Sequence, residues 1–206
     1  MTAPLAPPAD RRRRRTHAAV LDAAATLFAR QGFRGTGVDE LAAEADVALS
    51  SIYANFTGGK ADVYLALACR VAARHATEMI AAIDAAAPPV EVAVFDEYRR
   101  FHRENPLAFR LIGLADVAPD DTALYADARA MIHRTLADLV DRATAASALD
   151  PVSSRREVLR LWATVNGLLA LRVGRFVDAA EIEALLDVER ADVAARVTKA
   201  VSGAGH

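Results

Sequence analysis

Residues 36–60, TGVDELAAEADVALSSIYANFTGGK, constrain the fold more than any other stretch of the chain. Val38, Leu41, Ala42 and Ala45 recur at helical spacing. Asp46 and Val47 interrupt the pattern, and Ile52, Tyr53 and Phe56 resume it. The spacing predicts two short helices joined by a tight turn, then a glycine step into a further helix that opens at Lys60. Two such helices form a helix-turn-helix, whose second helix can enter the major groove of DNA. Thr36 and Asp39 form a T-x-x-D, the acidic variant of a capping box, and predict the start of the first of these helices at Thr36. Asp46 falls where the turn calls for a positive φ, which Asp tolerates better than most residues and less well than Gly.

The second short helix, about 48–56, has Ile52, Tyr53 and Phe56 for packing, with Ser50, Ser51, Ala54 and Asn55 largely on the other side. Small polar side chains suit a helix laid against base edges; a plain surface helix is the bland alternative. The helix carries no Arg or Lys, so bidentate contacts to guanine are not expected from it. Positive charge lies elsewhere. Arg11, Arg12, Arg13, Arg14 and Arg15 form an unbroken run just before the first helix. Net charge is −2 for the whole chain, but residues 1–60 hold eight basic groups against six acidic ones, so the excess base sits at one end and the body is acidic. Directly before a helix-turn-helix, such a run is expected to reach phosphates or the minor groove.

The remainder reads as helices. Aromatic residues are sparse, and alanine is abundant, which favours close-packed helices over sheets. A first helix is expected over 16–31, stopped by Gly32 with Phe33 folding back. A fourth runs from Lys60 toward residue 87, until Pro88-Pro89 break it. Further helices are expected over 90–104, 106–116, from 119 to about 146, from Ser153 or Ser154 to about 177, and over 181–200. The fold class is therefore all-α, with about nine to ten helices. A disordered basic arm is expected over 1–15, a helix-turn-helix domain over 16–65 with its motif near 37–56, and a helical body over 66–206. No apolar run reaches the ~18 residues of a membrane span. The first fifteen residues lack the apolar core of a signal peptide. Cys69 is the one cysteine and excludes an internal disulfide framework. A soluble cytoplasmic protein is expected.

At residues 20–67, VLDAAATLFARQGFRGTGVDELAAEADVALSSIYANFTGGKADVYLAL, the sequence resembles the TetR family of transcriptional regulators. The features that carry the resemblance are an AxxLF helix, G-aromatic, T-x-V, xLAxxAxV, and Y-x-N-F before a lysine. The resemblance implies double-stranded DNA, a palindromic operator, as partner. It implies phosphate contacts from Thr36, Tyr53 and Lys60, and a groove-facing set of Leu49, Ser50, Ser51 and Asn55. Three departures from the pattern stand out: Asp46 replaces the usual turn glycine, Ala48 replaces a common N-cap serine, and the TGGK loop is one residue longer than the commonest form.

The resemblance also implies a homodimer and a small-molecule effector of unknown identity. Ala163, Gly167, Ala170 and Gly174 form a small-residue stripe suited to close helix approach, either within the chain's own core or, as the resemblance implies, at a dimer interface with the final helix. Beside it, Leu159, Trp162, Asn166, Leu169, Val173 and Phe176 make a continuous apolar stripe interrupted by one amide. Phe95, Tyr98, His102, Phe109, Trp162 and Asn166 are the candidate pocket residues. No cofactor or metal is expected: the histidines at 17, 75, 102, 133 and 206 contain no i, i+4 pair and no HExxH. GGK at 58–60 is not a Walker A motif, no GxSxG exists, and no catalytic constellation emerges. The function expected is a transcriptional regulator, a repressor released by a partly apolar ligand. A helical small-molecule-binding protein with a vestigial DNA head is the alternative.

Overall fold

The computed structural model describes residues 5–87 and 89–203. Expectations resting on residues 1–4, Pro88 and His206 lie outside them. Among the described residues there are nine α-helices, one 3₁₀ turn and no strand. They are α1 (Arg11–Gly35), α2 (Val38–Glu44), α3 (Leu49–Asn55), α4 (Lys60–Ala85), α5 (Val90–Glu104), α6 (Ala108–Ile112), α7 (Tyr125–Ala146), α8 (Pro151–Val173) and α9 (Ala179–Gly203), with the 3₁₀ turn Pro119–Asp121 before α7. The chain divides into two compact units, Met1–Arg74 with Asn105–Thr135, and His75–Glu104 with Leu136–His206. No helix among the described residues is long and apolar enough to cross a membrane.

In the first unit, α1, α2 and α3 pack around Val20, Leu27, Leu41, Ile52 and Phe56, each at most 1 % exposed. Burying an aliphatic or Phe side chain contributes about 1.5–3 kcal/mol, so these few residues hold the three helices together. α1 begins five residues earlier than expected. Asp10 is its N-cap and accepts the Arg13 N–H at 2.8 Å, so the arginines form the opening turns of a helix and not a disordered arm. Gly32, with φ 75°, ends the helical path as expected, and Phe33 turns back to meet Phe28 at 5.6 Å. The start of α2 shifts by one residue. Gly37 is its N-cap and its N–H donates to the Glu40 carboxylate at 2.7 Å, which holds that acid below the ordinary carboxylate range. The T-x-x-D box does not form, because the Thr36 hydroxyl donates to the Gly32 carbonyl at 2.8 Å instead.

In the second unit, α8 packs against α9, and α5 packs on both. Phe95, Phe101, Val165, Ile182, Leu186 and Val193 are fully buried. α8 is capped by Asp150, not by Ser153 or Ser154. Its carboxylate accepts the N–H groups of Val152 and Ser153 at 3.1 Å, and Pro151 occupies the first helical position. The buried face of α8 also differs from the expected stripe. Ser154, Val158, Leu161, Val165 and Leu169 point inward, whereas Leu159 and Phe176 are 41 % and 80 % exposed. Apolar residues occur on two sides of this helix, so 3-4 spacing selects two registers equally well.

Candidate functional site

The turn between α2 and α3 keeps the geometry of a helix-turn-helix. Asp46 adopts φ 52°, the left-handed conformation the sequence calls for, and the Val47 N–H donates to the Ala42 carbonyl at 3.0 Å. α3 is pinned from below: Ile52 and Phe56 are fully buried, and the Phe56 ring stacks on His17 at 4.8 Å. Ala48 caps α3 without any side-chain hydrogen bond, so the serine it replaces is not made good at that position. What remains outside is the face the sequence assigned to DNA. Leu49 and Tyr53 are 41 % and 47 % exposed, Ser50 and Ala54 are exposed, and Ser51 is half-buried. Asn55 departs from expectation. It is half-buried, its Nδ2 donates to the Ser51 carbonyl at 2.8 Å, and its Oδ1 is buried. An amide turned back along its own helix does not face a groove.

Two of the expected phosphate contacts are also turned inward. Thr36 is 2 % exposed, with its hydroxyl committed to Gly32. The Lys60 ammonium donates to the carbonyls of Phe33 and Thr36 at 2.8 and 2.7 Å and sits 4.5 Å from the centre of the Phe33 ring. It staples the start of α4 to the segment that links α1 and α2. Partial burial lowers its pKa. The arginines at 11–15 are exposed on the opening turns of α1. Arg13 is set apart from the rest: its guanidinium donates to the Ala54 carbonyl at 3.1 Å, at the C-terminal end of α3. It therefore satisfies one of the helix-end carbonyls and complements the negative end of the helix dipole.

The second unit contains a pocket of about 450 Å³, its open mouth included, between α4, α5, α7 and α8. His75, Met79, Tyr98, Leu139, Leu161 and Trp162 are among the residues that line it. Of the expected pocket residues, Tyr98 and Trp162 line it. Asn166 stands behind them, its Oδ1 accepting the Tyr98 hydroxyl at 2.6 Å, and the Trp162 side chain also hydrogen-bonds that hydroxyl. The one amide in the apolar stripe is thereby accounted for. Burial pushes the Tyr98 phenol up to about 12 against those two bonds. His102 packs behind the wall, its ring 4.6 Å from Tyr98 and 5.7 Å from His75. Phe95 is fully buried in the core, and Phe109 belongs to the first unit; neither lines the pocket. Burial lowers His75 to about 4, and burial together with the neighbouring His75 lowers His102 to about 3, so both rings are neutral near pH 7. Among the described residues no group of three His, Cys, Asp or Glu side chains could hold a metal ion.

Residues 20–67 match a family model described as bacterial regulatory proteins, tetR family, and residues 92–193 match a second, the tetracyclin repressor-like C-terminal domain. This chain belongs to the TetR family. Such proteins are DNA-binding transcriptional regulators and not enzymes. Solved TetR-like structures share the fold. A TetR-family transcriptional regulator from Streptomyces coelicolor is 27 % identical, with a TM-score of 0.59, covering 89 % of this chain and 99 % of that one. A protein of unknown function from Rhodococcus sp. RHA1 is 20 % identical, with a TM-score of 0.65, covering 86 % and 93 %. The transcriptional regulator FadR from Bacillus subtilis, in complex with stearoyl-CoA, is 16 % identical, with a TM-score of 0.63, covering 86 % and 97 %. No curated protein matches the sequence.

The TetR resemblance overlooks His75, the pocket's most distinctive residue. A signal for it exists: Ala68, Ala72, His75, Met79 and Ile83 follow 4-3-4-4 spacing along α4, and all are buried, so the histidine interrupts an inward-facing stripe. Arg13 could not be separated from its four neighbours in a uniform run. Only the position of α3 against α1 singles it out.

Proposed function

We propose that this TetR-family regulator is a cytoplasmic homodimer that represses transcription from a palindromic operator and is released by a small, partly apolar ligand. One observation carries the reading: an uncharged, exposed face of α3 presenting Leu49, Ser50 and Tyr53, with exposed arginines at 11–15 held in helix α1 beside it. α3 reads base edges with Ser50 and Ser51, Leu49 meets a thymine methyl, and Tyr53 meets phosphate. The arginines supply the electrostatic grip. Five cations crowded at the positive end of a helix are unfavourable in isolation, and a polyanion relieves that repulsion. With a neutral reading helix, base preference rests in part on DNA shape.

The exposed small-residue face of α8 supports the homodimer. Ala163, Gly167, Ala170 and Gly174 are all exposed within the chain, and a Cβ built at Gly167 meets nothing within 4 Å. Beside them Leu159, Leu171, Val173 and Phe176 of the α8 region and Leu185, Val188 and Val201 of α9 are exposed large apolar residues, more than a solitary chain of this size leaves uncovered without reason. The pocket supports ligand control, since a ligand that favours one arrangement of a dimer shifts operator binding by its differential affinity.

The test is to incubate the purified protein with fragments of genomic DNA and sequence those it retains. The expected result is a recurring inverted repeat bound with steep salt dependence. Retention of no common sequence would contradict the reading and leave a ligand-binding protein.

A further inference from the structure

The proposed ligand control leaves open what kind of molecule the pocket accepts, and the lining narrows it. The walls are aliphatic and aromatic, and no Lys, Arg, Asp or Glu is among the lining residues. The polar groups at its edge are mostly engaged with one another. The Tyr98 hydroxyl is committed to Asn166, and the Trp162 side chain hydrogen-bonds the same hydroxyl. His75 is different. It lines the pocket, is 1 % exposed, and its Nδ1 is buried with no hydrogen-bond partner. Its ring is held edge-on to Tyr98 at 5.3 Å and against Phe101 at 4.5 Å, so it has little freedom to seek a partner elsewhere. A buried polar atom left unpartnered is costly, and a ligand that supplies its partner recovers that cost.

We propose that the pocket takes an uncharged, predominantly aliphatic compound carrying one hydroxyl or carbonyl group, which hydrogen-bonds Nδ1 of His75. This deepens the ligand-responsive reading and rests on it. Three features select against charge. A carboxylate would enter without a cation to meet it, an ammonium would enter without an anion, and the neutral histidines offer neither full charge. A hydroxyl suits the site best, because neutral imidazole nitrogen is a donor in one tautomer and an acceptor in the other, and a hydroxyl satisfies both. The apolar walls accept the chain, with shape rather than hydrogen bonding setting its length.

Trp162 is the chain's one tryptophan and lines the pocket, so its fluorescence reports occupancy directly. The experiment titrates the full-length protein at pH 8 with three probes of equal chain length: 1-decanol, decanoate and decylammonium. The expected result is saturable change of Trp162 emission with 1-decanol, at an affinity at least tenfold above that of either ion. Tighter or equal binding of decanoate or decylammonium overturns the proposal, as does the absence of any saturable change with 1-decanol. His75→Leu is expected to weaken 1-decanol binding about tenfold, and His75→Gln, which keeps a hydrogen-bonding group, to retain most of it. An unchanged affinity in His75→Leu overturns the role given to Nδ1. Should His75→Leu fail to fold, the order of the three probes on the unaltered protein and on His75→Gln still decides. Operator occupancy is followed separately by fluorescence anisotropy of labelled DNA. Binding of 1-decanol without any change in occupancy contradicts ligand control while leaving the pocket chemistry standing. A preference for decanoate that does release DNA contradicts the chemistry and leaves ligand control standing.

Discussion

Single residues carry different loads from those their sequence positions suggest. Lys60 acts through two backbone carbonyls and the face of Phe33. Charge-assisted hydrogen bonds of this kind contribute about 1.5–3 kcal/mol each at most, and less where water reaches them. Lys60→Met is therefore expected to destabilise the protein by about 1–3 kcal/mol in a urea melt. Unchanged stability would return Lys60 to the role of a free phosphate ligand. Arg13 differs from Arg12 in the same way, because its guanidinium is bound to the end of α3. Arg13→Ala is expected to weaken operator binding with little change in salt slope, and Arg12→Ala to lower the slope by about 0.9 for each phosphate that Arg12 neutralises. The paired histidines give a pH dependence of defined sign. Their folded pKa values, about 4 and about 3, lie below the ordinary value of 6.5, so the unfolded chain takes up protons first as pH falls. Stability is full above pH 6.5 and is lost as pH drops toward 4, by a few kcal/mol for shifts of this size. Thermal melts across that range are expected to show the decline, and His75→Gln to flatten it.

At the level of elements, ends matter more than middles. The Asp150 carboxylate caps α8 by accepting from the Ser153 side chain and from the N–H groups of Ser153 and Val152, which lowers its own pKa. Asp150→Ala is expected to cost about 1 kcal/mol, measured as a shift in denaturation midpoint, and Asp150→Asn much less. Helix existence was legible throughout, because apolar periodicity at 3.6 residues is a long signal. The turn before α3 was legible too, since Asp46 marks a position that needs positive φ. The starts of α4 and α5, at Lys60 and Val90, were legible as well, but those of α1, α2 and α8 were not. Those three depend on which nearby residue wins the cap: Asp10 begins α1 just before the basic run, Gly37 with Glu40 displaces Thr36, and Asp150 displaces the serines after it. The same limit affects the site. Leu49 and Ser50 lie outside as the resemblance implied, and Tyr53, which the pattern set among the packing residues, is exposed too, whereas Thr36, Asn55 and Lys60 have backbone partners inside the unit that sequence spacing cannot reveal. Tyr98 and Trp162 were found from the apolar faces of their helices, but His75 was hidden as one polar residue in a buried stripe.

For the whole molecule, the proposed function requires two chains. Gly167 offers a clean separation of folding from assembly. It lies inside α8, and a Cβ there meets nothing within 4 Å beyond its own helical backbone. Replacing a mid-helix glycine improves helix propensity by roughly 0.5–1 kcal/mol, so Gly167→Glu is expected to keep or raise helix content. In the proposed dimer it sets a charge in a close-packed apolar interface. Sedimentation is expected to show a monomer, with operator affinity lowered by at least a hundredfold. A dimer of normal affinity would move the interface elsewhere. The central claim is that the arginine run grips DNA while the neutral α3 reads it. The most direct test compares salt dependence of operator affinity for the unaltered protein with that of a variant carrying Arg11→Gln, Arg12→Gln, Arg14→Gln and Arg15→Gln, with Arg13 kept to hold α3. At ~0.9 per neutralised phosphate, the slope of log affinity against log salt is expected to become shallower by about three or more. An unchanged slope would contradict the account.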